Sequence, residues 1–121
     1  SIAKKIVYDA LSIAEEECKK PALTIFEEAI HNISPLLEVK SRRIGGATYQ
    51  VPVEVDAHRK IILALRWMLD ASRSKQGKPM CAFLSQEIID SYNKTGSSMK
   101  KREDMHKAAD ANRAFAHYAR F

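Results

Sequence analysis

Three basic side chains, Lys40, Arg42 and Arg43, stand just before a Gly45-Gly46 pair, and Tyr49 and Gln50 stand just after it. Lys and Arg neutralise phosphate, glycines let a backbone approach a ligand closely, and Tyr or Gln can stack on or hydrogen-bond to a base. The chemistry this cluster offers is recognition of a polyanion. A second basic set follows in Arg59, Lys60, Arg66 and Arg73, with Lys75 and Lys78 beyond it; the three arginines recur every seven residues, close to two helical turns. A third set comprises Lys100, Lys101, Arg102, Lys107 and Arg113, interleaved with Glu103, Asp104 and Asp110. Basic residues at a helix start oppose the macrodipole, at a cost of a few tenths of a kcal/mol each (roughly) that an anionic neighbour would offset.

Catalytic patterns are sparse. His31, His58, His106 and His117 stand in no HExxH or comparable ligand arrangement, and GxSxG, Walker-type and dinucleotide-binding glycine patterns are missing. Adjacent carboxylates such as Glu15-Glu16 and Glu103-Asp104 diverge around a helix, so they read as surface charge rather than as an acid and base pair. Cys18 and Cys81 form no CxxC pair and read as reduced thiols in an intracellular compartment. The expectation is no enzyme, no metal and no cofactor.

Positioning these residues falls to a chain of 121 residues with 45% hydrophobic content and only four Gly and four Pro, which suits one packed domain over 1–121. No apolar run approaches the roughly 20 residues that span a bilayer, so neither membrane insertion nor secretion is expected. The formal net charge of +5 is unevenly spread: residues 1–39 hold four Lys/Arg against seven Asp/Glu, and residues 40–121 hold sixteen against eight. Basic asymmetry of this kind fits a polyanionic partner, and it equally fits lysines and arginines that only solvate a helix face.

Helical spacing dominates the pattern. Ile2, Ile6, Ala10 and Ile13 make one apolar stripe that stops at Pro21, and Pro21 can open a second helix carrying Ala22, Ile25, Phe26, Ala29, Ile30 and Ile33 up to Pro35. The period changes to two across 36–55, which predicts a β-hairpin turning at Gly45-Gly46, with Ile44 facing Ala47, Arg43 facing Thr48, Arg42 facing Tyr49 and Lys40 facing Val51. Pro52 requires its strand to be an edge. Asp56 is placed to cap a third helix with Ile61, Ile62, Leu65, Met68 and Leu69 inward, the arginines on its other side and Trp67 in the core. A fourth helix carries Met80, Phe83, Leu84, Ile88 and Tyr92, with Gly96 as its C-terminal cap. From Ser97 or Ser98 a last, alanine-rich helix is expected to run on toward the chain end.

The stretch KSRRIGGATYQVPVEV, Lys40 to Val55, closely resembles the bacterial-type small-subunit ribosomal protein S-seven family. The likeness continues, in family order, through IVYDAL at Ile6 to Leu11, ALRW at Ala64 to Trp67, KKRED at Lys100 to Asp104 and ANRAFAHY at Ala111 to Tyr118. It implies a mainly α fold, a helical bundle with one protruding two-stranded β-hairpin at about 36–55, of six helices in the full family and about five here. It also implies a structural protein that binds small-subunit ribosomal RNA, nucleates assembly of the subunit head and lines the messenger exit and exit-site transfer RNA region. On that resemblance the ribosomal RNA contacts are Lys40, Arg42, Arg43, Gly45, Gly46, Tyr49 and Gln50 in the ribbon, with Arg59, Lys60, Arg66, Arg73, Lys75 and Lys78 after it. Lys100, Lys101, Arg102, His106, Lys107, Arg113, His117 and Tyr118 would lie near transfer or messenger RNA, or against a neighbouring protein, S-eleven.

The resemblance implies no homo-oligomer, and a ribosome in the bacterial cytoplasm or in an organelle, chloroplast or mitochondrion. Some members also repress translation of their own messenger. The chain opens at Ser1 inside a helical pattern, so a fragment without the family's basic N-terminal tail and first helix is expected, and the HYARF ending at His117 to Phe121 differs from the common bacterial one. From a different class, the alanine-rich last helix would suit a helical protein-interaction module.

Overall fold

The computed structural model describes residues 1–120, with side chains as far as Tyr118. In order come α1 (Ile2–Cys18), α2 (Ala22–Ile33), β1 (Leu37–Ile44), β2 (Ala47–Glu54), α3 (Ala57–Arg73), α4 (Met80–Tyr92), α5 (Gly96–Ala111) and a terminal 3-10 helix, Arg113–Arg120. The mainly α class with one hairpin is as the sequence predicts.

Each boundary has a local cause. Ser1 caps α1 by accepting from the Lys4 amide, and α1 ends where Lys19 turns left-handed (φ 55) and donates its N–H to the Glu15 carbonyl. Pro21 separates α1 from α2 as expected, and Glu15 reaches across to accept from the Ala22 amide at 3.2 Å, supplying the cap that Pro21 lacks. Asp56 caps α3 by accepting from the Arg59 amide at 2.9 Å. At the hairpin tip Gly45 and Gly46 both hold positive φ (59 and 84), the requirement of a two-residue turn of this hand.

α4 packs against all four other α-helices and so forms the centre of the molecule. The main core gathers Ala10 and Ala14 of α1, Ile25, Ala29 and Ile33 of α2, Ala64 and Met68 of α3, and Leu84, Ile88 and Ile89 of α4. Its alanines let helix axes come close, while the isoleucines fill the remaining volume. A second cluster, Val55, Leu63 and Trp67 with Met105 beside them, lies under the base of the hairpin.

Three expectations need correction. Ile61, Ile62 and Leu65 do not turn inward; α3 buries Leu63, Ala64, Trp67, Met68 and Ala71 instead. The reason is that Trp67 and Met68, adjacent in sequence, enter different clusters, so the buried face centres between them and the isoleucines fall outside it. Gly96 does not end α4: Asn93 is the cap, Lys94 takes the left-handed turn (φ 61), and Gly96 (φ 90) opens α5. A side chain at Gly96 would strike Asp90, whose Cβ lies 2.9 Å from the position its Cβ would occupy. Finally, the last helix is not continuous. Asn112 donates its side-chain amide to the Ala108 carbonyl at 2.8 Å, α5 stops at Ala111, and the 3-10 helix turns back along β2. Phe121, the last residue of the divergent ending, lies outside the described residues.

Candidate nucleic-acid interface

The hairpin pairs in the predicted register, Arg43 with Thr48, Arg42 with Tyr49 and Lys40 with Val51. Arg43, Gly45, Gly46 and Gln50 are exposed at or near the tip, and Gln50 donates to the Ser41 hydroxyl across the ladder at 3.0 Å. Arg42 differs from its neighbour. Its Nε is buried without a hydrogen-bond partner, and the side chain lines a groove of about 810 Å³ between the hairpin and the α5 end, walled by Leu36, Pro52, His106, Ala109 and Arg113. Tyr49, a candidate base-stacking ring, packs instead against Phe115 and Tyr118, with ring centroids at 5.2 and 5.0 Å. The hairpin is therefore open along its tip and braced on one flank.

Its base is tied to the helices by polar contacts that the sequence does not announce. Glu38, buried in β1, accepts from Arg59 Nε at 2.8 and 3.0 Å, and Lys40 Nζ lies 3.6 Å from the same carboxylate. The Leu36 amide donates to His106 Nε2 at 2.9 Å, and Arg102 Nε donates to the Ser34 carbonyl at 3.3 Å. An imidazole nitrogen that accepts must be unprotonated, so His106 is held neutral with its proton on Nδ1. Burial pushes its pKa below the ordinary value and the neighbouring Arg102 charge adds to that, while Glu103 opposes them.

The remaining basic candidates are distributed over the molecule. Arg66 and Arg73 are exposed on α3, but they share a shallow depression of about 330 Å³ with Ile62, Leu65, Leu69 and Asp70, on the side predicted to face inward. Lys60 is half-buried beside α2, and Lys75 and Lys78 are exposed in the loop before α4. On α5, Lys100 and Lys107 are exposed and Lys101 is half-buried, and His117 is exposed on the 3-10 helix. Arg113 stands 3.7 Å from Asp110. Arg102 and His106 thus serve the fold directly, whereas Lys40, Arg43, Arg59, Lys100 and Lys107 reach solvent. Among the described residues no group of three or more His, Cys, Asp or Glu could hold a metal ion. No helix among them is long and apolar enough to cross a membrane.

The model of the family described as ribosomal protein S7p/S5e matches residues 1–113. The chain belongs to this family. Among similar S7p/S5e proteins, one from Chloroflexus aggregans is 56% identical over 120 residues, covering 99% of this chain and 76% of the relative. One from Roseiflexus castenholzii is 57% identical over 121 residues, covering 100% and 77%, and one from Thermotoga maritima is 55% identical over 118 residues, covering 98% and 76%. Each of the three is named small ribosomal subunit protein uS7. The S7p/S5e proteins are structural constituents of the ribosome, not enzymes.

Proposed function

We propose that this S7p/S5e protein binds small-subunit ribosomal RNA through the open face of its hairpin and the basic side chains flanking it, by phosphate neutralisation and shape readout. The observation that carries this reading is the hairpin itself: Arg43 faces solvent beside a glycine tip with nothing within 4 Å of either glycine's missing side chain, and Lys40 is exposed farther down the same strand. A duplex or loop backbone can come close to such a tip without steric cost. In the assembled subunit the protein nucleates the head, lies along the messenger exit path and the exit-site transfer RNA, and meets the S-eleven protein near α5 and the 3-10 helix. The three relatives are bacterial, which favours a ribosome in the bacterial cytoplasm over an organellar one.

Salt dependence tests the RNA contact. Affinity for deproteinised small-subunit ribosomal RNA should fall steeply as salt rises, and Arg42→Ala with Arg43→Ala should lower the slope of log K against log salt by about 1 to 2. Arg43→Ala should account for more of that change than Arg42→Ala, because Arg42 has its Nε buried. Binding that ignores both salt and the double substitution would remove the hairpin from the interface.

A further inference from the structure

We propose that Glu38, an acid, promotes binding to RNA: it is a positioning residue that holds Arg59 and Lys40 as a joint phosphate-binding pair where the hairpin meets α3. The inference rests on the RNA reading above and adds a role that charge counting would assign with the opposite sign.

Burial is the first ground. The Glu38 side chain is 5% exposed, while those of its partners Arg59 and Lys40 are 46% and 51% exposed. The negative charge is thus hidden under two positive ones that face outward. Both cations contact the same carboxylate oxygen, Oε1, at 3.0 and 3.6 Å, so they are neighbours although they come from α3 and β1. The cluster of one anion and two cations keeps a net positive charge, and the anion takes no part of the outer surface.

Which donors are consumed is the second ground. Arg59 meets Glu38 through Nε alone, at 2.8 and 3.0 Å. Among the described residues no acceptor lies on its two terminal amino groups. Anchoring the guanidinium at Nε restricts where it can point and leaves the edge formed by its two terminal amino groups free to bond phosphate oxygens. Lys40 contributes a point charge beside it. The other exposed pairs are built differently: Glu103 opposite Arg102 and Asp110 opposite Arg113 are 54% and 76% exposed, so those acids would repel an approaching phosphate. A restrained, outward-facing pair also loses less side-chain freedom on binding than two free side chains would.

The test uses the full chain and deproteinised small-subunit ribosomal RNA, with affinity measured over a range of salt. Glu38→Gln raises the formal charge, so simple electrostatics expects tighter binding. Positioning expects the reverse: affinity about three- to tenfold weaker and a salt slope lower by about 1. In an Arg59→Ala, Lys40→Ala background the same change should do nothing further, since Glu38 acts only through those two. Arg59→Lys provides a variant of unchanged net charge and near-native bulk; it should weaken binding several-fold, because an ammonium has no fixed donor edge, even if Glu38→Gln proves too unstable to measure. Equal or tighter binding by Glu38→Gln, an undiminished effect in the double background, or full affinity in Arg59→Lys would overturn the proposal. Arg43→Ala separates this from the broader reading: a normal loss there with an unaffected Glu38 series sinks the positioning role alone, whereas salt-independent binding by the unaltered chain sinks both.

Discussion

His106 shows how the fold can give one side chain a structural task. Sequence spacing places it among basic residues on α5, yet its Nε2 accepts from the Leu36 amide and fastens the start of the hairpin to α5. Protonation would turn this acceptor into a donor and break the bond. Because burial and Arg102 lower its folded pKa, the native state binds fewer protons than the unfolded chain, so stability rises with pH through this group. Its contribution is complete above the ordinary value of 6.5 and is lost as pH falls through the lowered folded value. Thermal melts from pH 8 to pH 5 should therefore show a decline that His106→Gln, which offers an acceptor without titrating, lacks. The difference should reach about 1 kcal/mol, the net worth of one such hydrogen bond. Parallel melting curves for the two proteins would exclude the coupling.

At the scale of elements, the starts of α2 and α5 are supplied with partners by other helices. Thr95 makes no side-chain cap for α5; instead Glu87 of α4, buried, accepts from the Ser98 amide at 3.0 Å and the Ser98 hydroxyl at 2.8 Å. Glu15 plays the same part for α2. Glu87→Ala would leave two buried donors unsatisfied and open a small cavity. It should cost about 2 to 4 kcal/mol, read from the urea midpoint, with faster amide exchange in the first turn of α5. Glu87→Gln keeps an acceptor at the bonded position and should cost about 1 kcal/mol or less. If the two variants were equally unstable, charge rather than capping would explain the burial of Glu87.

For the molecule as a whole, the consequential contact joins the hairpin to the C-terminal 3-10 helix. The 3-10 helix lies along β2, where Phe115 and Tyr118 enclose the ring of Tyr49. Two strands alone are marginal in water, so this aromatic cluster, together with the Glu38–Arg59 pair at the base, gives the hairpin support that its own ladder does not. Phe115→Ala should loosen the hairpin while sparing the main core. Trypsin cleavage after Arg42 and Arg43 should accelerate severalfold, while the global melt falls by only about 1 to 2 kcal/mol. Unchanged cleavage would mean that the hairpin is held without the 3-10 helix.

Local rules made much of this legible. Two adjacent glycines set the hairpin turn, and the alternation of side chains set its register, because both depend only on neighbours in the chain. Proline positions and Asp56 likewise marked helix ends, and the family followed from residue order alone. Tertiary structure decided which face each element buries and which charges stay available. The inward face of α3 depends on Trp67 and Met68 finding two different clusters, which no spacing within α3 specifies. Glu38 reads as one more acid in a strand until Arg59, distant in sequence, meets it; Tyr49 reads as a free ring until α5 ends and the chain folds back. Capping and turn geometry are short-range and written in adjacent residues. Burial of a charge or a ring is a long-range bargain, fixed only when distant elements meet.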